Sequence, residues 1–155
     1  MSKILITGTS KGIGYDAALC LARNGHEVVA TMRNPNNSDL SEVASKESLN
    51  IDIQALDVDD IDSVKEVFDK VGAIDVLINN AGVFPPKQRI TVDGFEMQMG
   101  VNHLSHFLLT NLLLDCLKAS SPARVVTVSS KLHKAGEIDF EVFKGYENYN
   151  SQSAY

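Results

Sequence analysis

Apolar and polar positions along this chain alternate between two rhythms. Lys3 to Ile6, Glu27 to Thr31, Ile51 to Leu56, Val76 to Ile78 and Arg124 to Val128 are short runs rich in Ile, Val and Leu. They carry little polar alternation, which predicts strands buried on both faces. Between them lie segments of helical length. Gly12 to Asn24 sets Ile13, Ala17, Leu21 and Ala22 on one stripe and runs into Gly25, a natural C-cap. A shorter segment covers Asp39 to Lys46, and another covers Ile61 to Val71, with Val64, Val67, Phe68 and Val71 on one side and Gly72 closing it. The longest helical pattern spans Phe95 to Ala119. Repeated strand and helix imply right-handed crossovers and a parallel sheet covered on both faces, a doubly wound α/β architecture. Beyond Ser130 the regularity fades into a polar segment that reads as loop or irregular helix.

Length allows one core of ordinary size, so residues 1–155 are expected to form one domain. The formal charge of −6 offers no general attraction to nucleic acid or to an anionic membrane. Any phosphate must then be held by a local site, which favours a small nucleotide over a polynucleotide. Cys20 and Cys116 stand alone, each within a helical run, and read as reduced core or near-core thiols. The apolar stretch after Lys3 is too short for a signal peptide, and the run from Phe107 to Leu117 falls short of the ~20 residues of a membrane span. A cytoplasmic location is the expectation.

Chemistry first appears where the opening strand meets Thr7-Gly8-Thr9-Ser10-Lys11-Gly12-Ile13-Gly14 and then a helix. A bound phosphate needs backbone N–H groups and the positive end of a helix dipole at close range, and Cβ atoms would obstruct that approach. Gly8, Ser10, Lys11, Gly12, Ile13 and Gly14 are therefore candidate nucleotide contacts. His103 and His106 lie three apart, but no Asp, Glu or Cys at ligand spacing completes a metal site, and they read as surface or packing residues.

Thr-Gly-x-x-x-Gly-x-Gly resembles the glycine fingerprint of the short-chain dehydrogenase/reductase family, and further landmarks follow in the family's order. Asp57-Val58 follows the third strand, where the family contacts adenine. Asn79-Asn80-Ala81-Gly82 follows the fourth, matching the family's cofactor-facing turn, so Asn80, Ala81 and Gly82 join the candidate set. Asn102 matches the family's helix asparagine, and Ser130, rather than Ser129, matches its catalytic serine by spacing. Taken singly, Asp57 could be a helix cap, Asn79 and Asn80 turn caps, and the serines loop residues. The resemblance implies a Rossmann fold that stops after the fifth strand.

Cofactor choice follows from charge. In such folds the end of the second strand meets the adenosine ribose, where a carboxylate selects NAD and a cation accommodates the 2′-phosphate of NADP. Met32 stands in the place of that acid, Arg33 follows it, and Lys11 adds a second positive charge from the glycine loop. NADP(H) is expected over NAD(H), although Arg33 could also be a solvated residue after a strand.

The family places a catalytic tyrosine after the serine in Tyr-x-x-x-Lys. Tyr155 takes this role by placement, because Tyr146 and Tyr149 have no lysine four positions on. The long gap after Ser130, with Lys131, His133, Gly136, Ile138, Asp139 and Phe140, is similar to the retinol-dehydrogenase type, as is the Gly100-to-Thr110 segment, apart from Ser105 where that type carries glycine. The implied activity is hydride transfer between NADP(H) and an alcohol or carbonyl, as in carbonyl reductases, with Tyr155 as acid or base, Ser130 on the substrate oxygen and Asn102 holding a water. The complete protein is expected to be a homo-oligomer, paired through a helix crowded by Leu108, Leu109, Leu112 and Leu113. The competing reading is a catalytically inactive nucleotide-binding fragment or pseudo-enzyme. Residues 1–155 do not include a lysine four positions beyond Tyr155, and on their own are expected to be inactive.

Overall fold

The computed structural model describes residues 1–120, 122–136, 140 and 143–155, without the side chains of 133 and 135. Ile138 and Asp139, two of the residues that carry the sequence resemblance, lie outside these described residues. Five parallel strands form the sheet: β1 (Lys3–Thr7), β2 (Glu27–Met32), β3 (Ile51–Ala55), β4 (Val76–Asn79) and β5 (Arg124–Thr127), in spatial order β3-β2-β1-β4-β5. The order reverses at β1 and β4. Their C-terminal ends therefore diverge into a crevice where an open parallel sheet places its ligands.

Period-two alternation divides the core between the two faces. Leu5, Val29 and Leu77 point to one side, against Val64, Val67 and Val71 of α3 (Ile61–Val71) and Leu109, Leu113 and Leu117 farther along the chain. Ile4, Ile6, Val28 and Ala30 point to the other side, against α1 (Gly12–Arg23) and Leu40 of α2 (Leu40–Lys46). Asp60 caps α3, accepting from the amides of Asp62 and Ser63. A cap role for Asp57 is thereby excluded.

Three expectations need correction. In α1 the buried positions are Gly14, Ala18, Leu19 and Ala22, whereas Ile13 is 70% exposed and Cys20 lies on the surface. Small residues at every fourth position, Gly14, Ala18 and Ala22, let this helix lie close to the sheet; of the expected stripe Ala22 is buried, Ala17 and Leu21 pack at the core's margin, and only Ile13 faces outward. The long helical pattern is interrupted: α4 (Met97–Met99) passes into a π-helical turn at Gly100–Leu104, then α5 (Ser105–Leu112), a break at Leu113, and α6 (Leu114–Ala119). The Ser105 amide reaches back five residues to the Gly100 carbonyl, and its buried hydroxyl donates to the Val101 carbonyl at 2.6 Å. Thirdly, all four residues of β5 are exposed: it pairs with β4 alone among the described strands, and none of its side chains joins either core cluster. Beyond it come a 3₁₀ turn at Lys131–Ala135 and the short α7 (Ser151–Ala154).

Candidate functional site

The reversal of strand order opens a cleft of about 470 Å³ at the C-terminal ends of β1, β2, β3 and β4. Its floor is the glycine loop, with Gly8, Ser10, Lys11, Ile13 and Gly14 lining it. Gly8 has φ +72, and a Cβ there would sit 2.7 Å from the Cα of Ala81, so the two loops approach as closely as backbone allows. Hydrogen bonds fix that approach. Thr7 Oγ1 accepts from the amides of Asn80 and Ala81 at 3.0 and 2.9 Å, and Asn80 Nδ2 donates to the Thr7 and Gly8 carbonyls. Such a glycine-lined cradle beside the start of α1 fits a phosphate-bearing ligand.

Two further walls complete the cleft. Met32 and Arg33 end β2; Met32 is buried, Arg33 is exposed, and neither Arg33 nor Lys11 joins an ion pair among the described residues. Leu56, Asp57 and Val58 follow β3, with the Asp57 amide donating to Ser63 Oγ and its carboxylate accepting from the Asp59 amide. Burial, then the neighbouring charges of Asp57 and Asp93, push the Asp59 carboxyl up, with Arg33 opposing them. The opposite wall is Asn80, Ala81, Gly82, Val83 and Phe84, with Tyr155 at the rim. The rings of Phe84 and Tyr155 meet edge to face, 5.3 Å between centroids.

The cleft thus gathers Gly8, Ser10, Lys11, Ile13, Gly14, Arg33, Asp57, Val58, Asn80, Ala81, Gly82 and Tyr155, all singled out from sequence. Gly12, Asn102 and Ser130 are placed outside its lining. Gly12 begins α1. Ser130 lies just beyond β5, part-buried, its hydroxyl accepting from the Leu132 amide at 3.2 Å. Asn102, in the π-helical turn, grips the backbone of Val83 from both sides: its Oδ1 accepts from the Val83 amide at 2.8 Å and its Nδ2 donates to the Val83 carbonyl at 3.0 Å. Sequence reasoning missed Leu56, Val83, Phe84 and Val101 as wall residues, since nothing in an apolar side chain distinguishes lining from packing.

On the far side of the sheet end, Asn79 Nδ2 donates to Thr110 Oγ1, tying β4 to α5. His106 is buried on α5, with no hydrogen-bond partner for either ring nitrogen among the described residues, whereas His103 is exposed. Burial pushes the His106 pKa below the ordinary histidine value; the Asn102 carbonyl opposes part of this, and His103 adds to it.

Comparison with known proteins gives this geometry a family. The model of the short chain dehydrogenase family matches residues 2–146. The chain belongs to the short-chain dehydrogenase family. Within it, the relatives are of the retinol-dehydrogenase type: human retinol dehydrogenase 13 is 44% identical over 98% of this chain and 48% of its own length. Human polyprenol dehydrogenase is 43% identical over 97% of the chain and 49% of its own length. This short-chain dehydrogenase chain thus spans about half the length of the curated relatives it matches. Among solved structures, an uncharacterised protein of Mycobacterium paratuberculosis superposes with a TM-score of 0.84 at 39% identity, over all of this chain and 56% of that one. A carbonyl reductase of Pseudomonas aeruginosa PAO1, solved in complex with NADP, gives 0.72 at 26% identity over 85% of this chain and 62% of that one.

Proposed function

We propose that these residues form the nucleotide site and proton donor of an NADP-dependent oxidoreductase acting on an alcohol or carbonyl. The observation that carries the reading is one cleft holding the glycine cradle, two cations that join no ion pair among the described residues, Lys11 in the glycine loop and Arg33 at the β2 end, and the Tyr155 ring at its rim. Lys11 and Arg33 supply ammonium and guanidinium donors, respectively, for a ribose 2′-phosphate, and Met32 places no carboxylate beside them to repel it. Gly8 and Gly14 leave backbone exposed to the pyrophosphate, and Asp57 with Val58 flanks the adenine.

When bound, a reduced nicotinamide supplies hydride to a carbonyl carbon. Tyr155 then donates its phenolic proton to the oxygen, or withdraws it in the reverse direction, and Ser130 hydrogen-bonds that oxygen. Asn102 contributes by holding Val83, and through it the wall on which substrate and nicotinamide meet. The relatives act as retinol or polyprenol dehydrogenases by name, which supports an alcohol or aldehyde of apolar character as substrate.

The test joins these residues to the remaining length that relatives carry, with a lysine four positions beyond Tyr155. That protein is expected to oxidise NADPH with aldehydes or ketones and to lose the activity on Tyr155→Phe. A rate indifferent to Tyr155→Phe would show that another group is the acid.

A further inference from the structure

Tyr155 follows α7, a helix of four residues. So short a helix has little stability of its own, and its position depends on tertiary anchors. Its first turn is capped by Asn150, whose Oδ1 accepts from the amides of Gln152 and Ser153. What fixes this turn to the rest of the molecule is a buried amide on another element. Gln98, on α4 and 1% exposed, donates from Nε2 to the Ser151 carbonyl at 2.9 Å and to the Tyr149 hydroxyl at 2.8 Å. The Tyr149 hydroxyl in turn donates to the Pro85 carbonyl at 3.2 Å.

The directions of these bonds leave Gln98 one productive orientation. Ser151 offers a carbonyl, which only accepts, and the Tyr149 proton is committed to Pro85, so both positions require a donor. Gln98 Oε1 accordingly points away, without a partner among the described residues. The Glu96 carboxylate fixes the backbone beneath by accepting from the Gln98 and Met99 amides at 2.8 and 2.9 Å.

Gln98 and Asn102 are four residues apart and hold the same loop. Asn102 grips Val83 directly, and Gln98 reaches Pro85 through Tyr149. Between those two anchors stands Phe84, whose ring meets that of Tyr155. We infer that Gln98 is a positioning residue: through Ser151 it sets the start of the helix before Tyr155, and through Tyr149 and Pro85 it sets the ring against which Tyr155 rests. One side chain thus fixes both sides of the Phe84–Tyr155 contact. The inference rests on the reading of Tyr155 as the proton donor, since only there does its placement bear on chemistry.

The test uses this chain with ring-labelled tyrosine, reading the Tyr155 resonances by NMR, with Tyr155→Phe for assignment. Phe84→Leu should displace them by removing the neighbouring ring's current. Gln98→Glu is isosteric but presents acceptors to an acceptor, and should displace the Tyr155 signals in the same direction. Tyr149→Phe retains the Ser151 bond and should produce a smaller displacement. Gln98 does not line the cleft, so NADPH affinity should stay within a few-fold in both. Unmoved Tyr155 signals in Gln98→Glu and Tyr149→Phe, or no response to Phe84→Leu, overturn the inference. If Gln98→Glu fails to fold, Tyr149→Phe decides alone, a displacement supporting and none refuting. Absence of NADPH binding in the unmutated chain would defeat the proposed function, while the ring signals would still judge Gln98.

Discussion

Replacing Gly8 by alanine separates two costs that a positive-φ glycine can conceal. Gly8 and Gly25 have similar backbones, at φ +72 and +82, but a Cβ on Gly25 meets nothing within 4 Å, whereas one on Gly8 lies 2.7 Å from the Cα of Ala81. A left-handed alanine costs roughly 1–2 kcal/mol at either site. At Gly8 the Ala81 loop must also retreat, and it is held by the Thr7 hydroxyl and the Asn80 amide. Losing one or two of those hydrogen bonds adds about 1 kcal/mol each. Gly8→Ala should therefore cost about 2–4 kcal/mol and Gly25→Ala about 1–2 kcal/mol in urea denaturation. NADPH affinity should fall in the first and persist in the second. Equal destabilisation, or unchanged binding in Gly8→Ala, would refute the claim that backbone proximity of the two loops builds the cradle.

Other outcomes follow from single features. With its pKa pushed down by burial, His106 takes up a proton more readily in the unfolded chain. Stability is then full above the ordinary histidine pKa of ~6.5 and declines as pH falls through it. His106→Phe, which leaves no polar ring atom unpartnered, should flatten urea midpoints between pH 7 and 5, and an unchanged slope would show that another group is responsible. Phe107, Leu108 and Leu114 are exposed on α5 and α6, and should promote self-association that Leu108→Glu weakens in sedimentation. A monodisperse monomer without the mutation would oppose that surface as the contact. For Asp59, pushed up by burial and by Asp57 and Asp93, Asp59→Asn should raise the melting temperature at pH 7 and do so less at pH 4.

The sheet was legible because its strands are short aliphatic runs between capped helices; α3 has the predicted bounds, Ile61–Val71, and the five strands differ from expectation only at their C-terminal ends. Backbone pairing outlasts apolar character at Thr7 and Asn79, whereas β3 and β5 stop one residue short of the apolar Leu56 and Val128. The glycine loop was legible for the same reason that it is constrained: few residues tolerate its geometry. The π-helical turn at Gly100–Leu104 was not, since its periodicity differs from an α-helix by less than one residue per turn. Nor was the fate of the leucine-rich stretch: Leu109 and Leu113 enter the core while Leu108 stays exposed, a division set by the sheet beneath. Gln98 and Tyr149 gave no signal, because their partnership spans 51 residues of sequence and exists only once α7 is docked.

Selection by the cleft of a nucleotide carrying a 2′-phosphate can be read from fluorescence titration of the folded chain with NADPH and NADH. A charge-assisted hydrogen bond contributes about 1.5–3 kcal/mol, so contacts from Arg33 and Lys11 should favour NADPH by roughly 10- to 100-fold. Arg33→Asp should narrow or invert that preference by replacing attraction with repulsion. Equal affinities for the two nucleotides in the unmutated chain, or a preference indifferent to Arg33→Asp, would contradict the account.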